Sequence, residues 1–340
     1  METLFNKYAE LIKTGKWQYY PYVKEFEIYG DDYCKNFIHQ YVVKEGGKDI
    51  PMVEEYLSNL SNERIKHILS CFLLGIIIYD ENQSIRTCID AFLKELPSGK
   101  RKESDRERFL YIWMLISVFH DFGYAVEHKK KDFSRKELSS LLKEMPQRFN
   151  SVPSIYNKNL LRNYITYKCC RFNCYDHGVI GGIKLFKELC DLRRERVKKD
   201  TDHYWKEDLE YDFAVAAWAI ACHNIFYINK TEDYHWCYTQ MGLGRFVYSD
   251  KVRKISQKQH PLFFLLCLVD SIEPLKTYSD NSMLHSINLD IQSDKIIIQI
   301  DSFPCPCIKT TYMNKVLNLN EWLIDTEYSN NALNIKLDTL

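Results

Sequence analysis

The apolar run FLYIWMLISVFHDFGYA carries two adjacent metal-binding side chains near its end, His120 and Asp121, followed closely by Gly123. The run is long enough for a buried helix, so we expect the doublet where that helix ends in a glycine turn. A buried His or Asp must be hydrogen-bonded, paired or ligated, because burial of such a side chain without a partner costs folding free energy. The doublet therefore predicts a polar network or a metal site at the end of this helix.

The charge balance and hydropathy of the chain exclude several classes of protein. The 46 Lys and Arg residues equal the 46 Asp and Glu residues, so no overall field favours nucleic acid or an anionic membrane. The apolar runs, such as 71–79 and 213–222, are far shorter than the roughly 20 residues of a membrane helix. The amino-terminal stretch is polar and amphipathic and has no signal-peptide core. We expect a soluble cytoplasmic protein that does not bind membranes.

The twelve cysteines are too sparse to predict a disulfide scaffold. The group Cys169, Cys170 and Cys174 lacks a second ligand pair at zinc-finger spacing, and so does the pair Cys305 and Cys307. We interpret all five as free thiols of a reduced protein.

The distribution of apolar and polar residues along the chain predicts a mainly α fold in three parts. Residues 1–60 form a helical extension, residues 61–276 an apolar helical domain, and residues 277–340 a small α+β appendage. Helices are predicted from Ser61 onward, over about 91–96, up to His120, and over roughly 177–198, 209–224 and 261–274. In the appendage, alternating apolar residues from 287 and from 296 flank a turn at 293–294, which indicates a β-hairpin, and a short helix at about 317–322 precedes a last strand.

Successive apolar helices each carry one or two His or Asp residues. A lone helical His is usually an ordinary hydrogen-bonded residue, but Asp270 lies among Leu265, Leu266, Leu268 and Val269, where a bare carboxylate is costly. Facing helices that project such side chains inward can build a metal site. The candidate ligands are His67, His120, Asp121, His177, His223 and Asp270.

This ordered set on successive helices resembles the HD superfamily of metal-dependent phosphohydrolases. The resemblance covers about residues 61–276 through the segments RIKHILSCFLLG, FHDFGYA, YDHGVIGG, ACHNIF and CLVDSIEP. It implies an HD-type helical bundle. The chain lacks the Gly-Tyr-Pro signature of the cyclic di-GMP-degrading branch and the His-rich extension of dNTP triphosphohydrolases, so the resemblance is to the superfamily and not to a substrate.

The resemblance also implies the arrangement of the ligands. His67, His120, Asp121 and Asp270 would hold a first metal, His177 and His223 a second, and Asp121 would bridge both. A set of His and Asp ligands without cysteine suits Mn²⁺, Fe²⁺, Co²⁺, Ni²⁺ or Zn²⁺. Two such ions could activate a bridging water for attack on a phosphoryl group, with Asp121 orienting that water.

Other residues are candidates for chemistry and for binding of the substrate. Asp176 is most simply the N-cap of the following helix, but a catalytic acid–base role and a second-sphere role stay open. Lys129 belongs to a run of three lysines that could lie at the rim of the site or in a solvated loop. Arg171 and Asn224 lie close in sequence to predicted ligands and could bind the substrate.

Three functions are compatible with these residues. The first is hydrolysis of a nucleotide, cyclic nucleotide or other small phosphate ester by a metal-activated water. The second is an HD-type di-iron oxygenase, since the ligands are the same in type. The third is a non-catalytic binding module, which loss of a ligand would indicate; no ligand is missing. The appendage could cover the active site or mediate formation of a homodimer.

Overall fold

The computed structural model describes residues 1–19, 50, 52–97, 103–124, 158–172, 174–199, 208–225, 239–243 and 255–337. These residues divide into two compact units, each of which is described by itself. The first unit comprises residues 1–91, 109–111 and 264–340, and the second comprises residues 92–108 and 112–263.

The described residues contain eleven α-helices and five strands, which confirms a mainly α fold with a small α+β part near the carboxyl end. The helices are α1 (Leu4–Thr14), α2 (Met52–Ser58), α3 (Asn62–Glu81), α4 (Gln83–Glu95), α5 (Asp105–Phe119), α6 (Lys158–Phe172), α7 (His177–Lys199), α8 (Leu209–Cys222), α9 (Pro261–Ile272), α10 (Ser282–Ser286) and α11 (Pro306–Leu317). The strands are β1 (Glu2–Thr3), β2 (Ile287–Ile291), β3 (Lys295–Ile300), β4 (Thr326–Ser329) and β5 (Ala332–Lys336), and a 3₁₀ turn covers Asn318–Glu321.

The sheet of the first unit is antiparallel and has the strand order β1-β2-β3-β5-β4. Leu289 lies opposite Ile298, and the predicted hairpin turn is closed by a 2.8 Å bond from the Gln292 amide to the Lys295 carbonyl. Leu289 and Ile298 are both buried, as the alternation predicts for a sheet with one covered face. Strand β1 pairs with β2. The first residues of the chain therefore extend the sheet formed by the last ones.

Helix α3 places His67 in an apolar environment. Its N-cap is Ser61, whose hydroxyl accepts the Arg64 amide, and its last turn ends at Asn82. The buried stretch from Ile68 to Tyr79 is continuous, so exposed residues are confined to the first turns of the helix and to Glu81 at its end. The helix begins at the cap that the sequence predicts.

Close packing of α7 against α8 organises the second unit. A Cβ atom at Gly182 would collide with the carbonyl oxygen of Ala217 and would lie 2.9 Å from the Cβ of Ala221. Helix α8 is buried at almost every position because small residues such as Ala217 and Ala221 let its neighbour approach. Gly182 therefore allows the close packing of the two helices.

Two other parts differ from the sequence expectation. Helix α5 begins at Asp105 with a capping box formed by Ser104 and Glu107, a start that the apolar pattern does not predict because its first turn is charged. The short helix predicted at about 317–322 is a 3₁₀ turn. This turn continues helix α11, which the sequence analysis does not predict. Its sequence, PCIKTTYMNKVL, has no apolar stripe of helical period, although Pro306 is well suited to a first turn.

Cys305 and Cys307 form a disulfide, so their interpretation as free thiols is wrong. Their Cα atoms are 5.5 Å apart, within the range that a disulfide spans. Cys169, Cys170 and Cys174 are thiols, as expected.

Among the described residues, no single helix is both long and apolar enough to cross a membrane. The adjacent helices α3 and α4 pass that test only when taken together, by length and composition, and they are bent by 97° at their junction.

Candidate metal-binding sites

The His120–Asp121 doublet lies in the turn that ends helix α5. His120 follows the last helical residue, and the turn is held by bonds from the Phe122 amide to the Phe119 carbonyl and from the Tyr124 amide to the Asp121 carbonyl. Both side chains of the doublet are fully buried. The expected position at the end of an apolar helix is therefore confirmed.

Asp121, His177 and His223 form a buried group in the second unit. Each offers one possible ligand atom, and these atoms all lie within 4.8 Å of one another. The Nε2 atom of His177 is 3.7 Å from Oδ1 of Asp121, and the rings of His177 and His223 have centroids 5.3 Å apart. We call this group the Asp121 cluster. Its spacing and donor types fit a divalent ion.

Two glycines make the approach of these elements possible. A Cβ atom at Gly123 would collide with the backbone of His177, which begins helix α7. At Gly178, a Cβ atom would lie 2.8 Å from the His223 ring and equally close to the Ile220 carbonyl. Glycine is therefore required by the close contact at both positions, one in the turn after the doublet and one in the first turn of α7.

Backbone carbonyls set the tautomers of two histidines. Nδ1 of His120 donates to the Ser117 carbonyl at 2.8 Å, and Nδ1 of His223 donates to the Ile220 carbonyl at 2.6 Å. Because a carbonyl can only accept, the proton is on Nδ1 and the lone pair is on Nε2. Both rings are thus prepared for ligation through Nε2, an arrangement common among metal-binding histidines.

Asn224 contacts the third histidine of this unit. Its Nδ2 atom lies 2.9 Å from Nε2 of His177 and 3.4 Å from Oδ2 of Asp176. The ring of Tyr124 stacks on the ring of His177, and their centroids are 3.7 Å apart. The structure therefore gives Asn224 a role in positioning His177, while its predicted role in substrate binding stays a prediction.

Asp176 is the N-cap of α7, as its simplest interpretation predicts. Its Oδ1 accepts the Val179 amide at 3.2 Å, and its Oδ2 accepts the Tyr164 hydroxyl at 3.2 Å. Burial by itself would raise the pKa of this carboxyl, but His177 and Lys168 lower it below its usual value. An ionised carboxylate cannot donate a proton, which argues against Asp176 as a catalytic acid. Its roles as a catalytic base and as a second-sphere acceptor stay predictions.

A second buried group surrounds His67 in the first unit. Nε2 of His67 lies 3.1 Å from Oδ1 of Asp270, and its Nδ1 lies 2.7 Å from Oε2 of Glu273. Cys71, one helical turn after His67, places its sulfur 3.6 Å from Nδ1. Ligand atoms of His67, Cys71 and Asp270 lie within 4.8 Å of one another. We call this group the His67 cluster.

Neither Glu273 nor Cys71 is among the ligands that the sequence predicts. Glu273 comes three residues after Asp270, a spacing that puts both on one side of a helix end, and it is fully buried. Cys71 lies four residues after His67, and this spacing was the available signal. A thiol therefore borders a group that the sequence predicts to contain only His and Asp.

Charges within the His67 cluster are strongly coupled. Burial by itself would lower the pKa of His67, but its hydrogen bonds to Asp270 and Glu273 raise it well above its usual value. Burial would raise the pKa of Asp270, but Lys276 and His67 hold it well below its usual range. Burial raises the pKa of the Cys71 thiol to about 11, so the thiol is neutral at pH 7.

Two predicted substrate-binding residues lie outside the described part of the chain. Lys129 is outside the described residues altogether. Arg171 belongs to helix α6, but its side chain is outside the described residues. Their roles stay predictions.

The predicted ligands fall into the two units. His67 and Asp270 belong to the first, and the other four belong to the second: His120, Asp121, His177 and His223. The prediction that all six form one binuclear centre stays a prediction. The described residues show buried groups of His, Asp and Cys that could hold a metal ion.

Comparisons with known proteins add no relative: no family model, no curated protein and no solved structure matches this chain.

Proposed function

We propose that this chain is a metal-dependent phosphohydrolase or phosphodiesterase that acts on a nucleotide, cyclic nucleotide or other small phosphate ester. The observation that carries the proposal is the Asp121 cluster, in which three buried ligand atoms lie within 4.8 Å of one another. The resemblance of the ordered motifs to the HD superfamily supports the same chemistry.

The described residues are suited to holding a divalent ion in a defined geometry. The carbonyl of Ile220 fixes the His223 tautomer, and the stacked ring of Tyr124 holds the His177 ring. A bound divalent ion would supply a water ligand of lowered pKa and would polarise phosphoryl oxygens. Asp121, which is buried beside His177, would be a ligand of the bound ion and would orient the attacking water.

Hydrolysis assays on the full chain test this proposal. The protein is loaded anaerobically with Mn²⁺ and offered an aryl phosphate monoester, an aryl phosphodiester, nucleotides and cyclic nucleotides. We expect turnover of at least one ester, which His177→Gln abolishes. The matched control is His285→Gln, because His285 is exposed and stacks on Phe5, apart from both groups of candidate ligands.

The same assay separates the other two functions. Turnover that requires bound iron and O₂, with no hydrolysis under anaerobic conditions, would assign the chain to the di-iron oxygenases. A protein with both His120→Ala and Asp121→Ala that keeps its biological effect would assign it to the non-catalytic binding modules. Either result would contradict the proposed hydrolase.

A further inference from the structure

Helix α11 is anchored next to the His67 cluster within the first unit. The hydroxyl of Tyr312 donates to the carbonyl of Ile272, the last residue of α9, at 2.7 Å. Tyr312 is fully buried, and Lys315, three residues further on, lies on the same side of the helix. The end of α9 is where Asp270 and Glu273 lie, so α11 directs Lys315 toward them.

Lys315 has an unusual orientation for a lysine. Lysines normally bury their aliphatic stem and keep the ammonium group in water. In Lys315 the side chain is partly exposed, whereas its Nζ atom is buried and makes no hydrogen bond to any described residue. Burial lowers the pKa of Lys315 to about 8, and its charge is felt by Asp270 and Glu273. The ammonium group therefore points inward.

The two nearby carboxylates already have donors. Both oxygens of Asp270 accept bonds from Lys276 Nζ, at 2.6 and 2.8 Å. The oxygens of Glu273 accept the amides of Leu275 and Lys276 and the Nδ1 proton of His67. None of these bonds involves Lys315. Its three N–H donors are thus available to an acceptor that enters the site, and a buried ammonium without acceptors is costly.

Charge balance indicates what that acceptor is. Lys276 and Lys315 balance the negative charges of Asp270 and Glu273. A metal binds the neutral form of a histidine, so metal binding would displace one proton from His67. A divalent ion held by His67 and Asp270 would bring two uncompensated positive charges into a buried region. A tetrahedral oxyanion with two negative charges would restore the balance.

We propose that Lys315 is the anion-binding cation of the His67 cluster and selects a phosphate monoester dianion as the substrate class. This inference rests on the proposed function, since it assumes that the substrate is a phosphate ester, and it adds that a metal ion and the phosphoryl group bind at the His67 cluster. Lys315 donates to the phosphoryl oxygens while Lys276 balances Asp270. The C-terminal segment is then part of the binding site.

The test is a calorimetric titration of inorganic phosphate into the full-length, Mn²⁺-loaded protein. Replacement of Lys315 by Met keeps the length of the side chain and removes its charge, and we expect phosphate binding at least about tenfold weaker. Lys315→Arg should retain most of the affinity. Lys309→Met, on the same helix, is the matched control and should bind phosphate like the unaltered protein. Metal content should stay the same in all three variants.

Unchanged phosphate affinity in Lys315→Met overturns the inference, and so does loss of metal, because the residue would then be structural. If Lys315→Met does not fold, ¹⁵N-lysine ammonium spectra of the unaltered protein replace it. The Lys315 signal, assigned by its absence in Lys315→Arg, should shift when phosphate is added, and an unshifted signal overturns the inference.

The two proposals fail in different ways. Phosphate binding that depends on Lys315, without turnover of any ester, would reject the proposed function and leave the anion site. Ester hydrolysis with phosphate affinity that is independent of Lys315 would reject the anion site and leave the proposed function.

Discussion

Nδ1 of His67 lies 2.7 Å from the carboxylate of Glu273, which is fully buried at the end of helix α9. A carboxylate can only accept here, so Glu273 holds a proton on Nδ1. Nε2 faces Asp270, 3.1 Å away, and would bind a metal once it has lost its own proton. Carboxylate–histidine pairs of this kind orient metal ligands and make them more basic. Glu273 therefore prepares His67 for ligation.

Glu273→Gln should weaken metal binding about 10- to 100-fold, because an amide holds the ring less firmly and does not raise its basicity. Metal affinity is measured by competition with a chelator at pH 7.5. Glu327→Gln, at an exposed position, is the control and should bind metal normally. Equal affinities in the two variants would show that Glu273 does not act through His67.

Gly178→Ala should lower the free energy of unfolding by about 1 to 3 kcal/mol, because the new Cβ overpacks the contact with Ile220. It should also displace the His223 ring and reduce the metal content. Gly182→Ala overpacks the same helix pair at Ala217, away from that ring. We expect it to lose stability and keep its metal. Loss of metal in both variants would mean that the effect of Gly178 is general unfolding.

Arg108→Met should destabilise the second unit by about 3 to 5 kcal/mol, because it removes the guanidinium that pairs with the fully buried carboxylate of Asp212. Arg108 donates to Asp212 at 2.7 Å and also to the Leu93 carbonyl at 2.8 Å. Urea unfolding measures the change. Lys336→Met removes the exposed pair with Glu327 and should cost less than about 1 kcal/mol. Similar losses in both variants would contradict this account.

His260 should make the protein less stable in acid. Burial lowers the pKa of His260 to about 4, below the value near 6.5 that it has when unfolded. The unfolded chain then binds more protons between those values, so stability that is present above about pH 6.5 is lost as the pH falls toward 4. The loss attributable to this residue is on the order of 2 kcal/mol.

The measurement for His260 is thermal unfolding of the unaltered protein and of His260→Leu at pH 7.5, 6 and 4.5. His260 lines an apolar pocket with Trp218 and Phe263, so leucine is tolerated there. The difference in stability between the two proteins should shift in favour of the variant as the pH falls. A difference that is independent of pH would show that His260 does not titrate on unfolding in this range.

Periodicity and capping patterns predict much of the fold. Ser61 is an N-cap, helix α9 begins at Pro261, and β2 and β3 pair across the predicted turn, because local chemistry determines each of these. The pairing of β1 with β2 was not predicted, since it joins residues almost 290 positions apart and a two-residue strand has no periodicity.

The candidate ligands were predictable by residue type, but their surroundings were not. Asp121, His177 and His223 lie together as their positions at helix ends suggest. The contact of Glu273 with His67 and the inward orientation of Lys315 depend on how helices α3, α9 and α11 pack, which no local pattern encodes. Long-range packing thus decides which polar residues complete a site.

The central claim is that Asp121, His177 and His223 hold a metal ion. The most direct measurement is the metal-to-protein ratio of the purified full chain after dialysis against Mn²⁺, Fe²⁺ or Zn²⁺. We predict at least one tightly bound ion per chain, with loss of an ion in the double variant His177→Gln/His223→Gln and retention in His285→Gln. A full chain that binds no ion, or a double variant that binds as many ions as the unaltered protein, would contradict the claim.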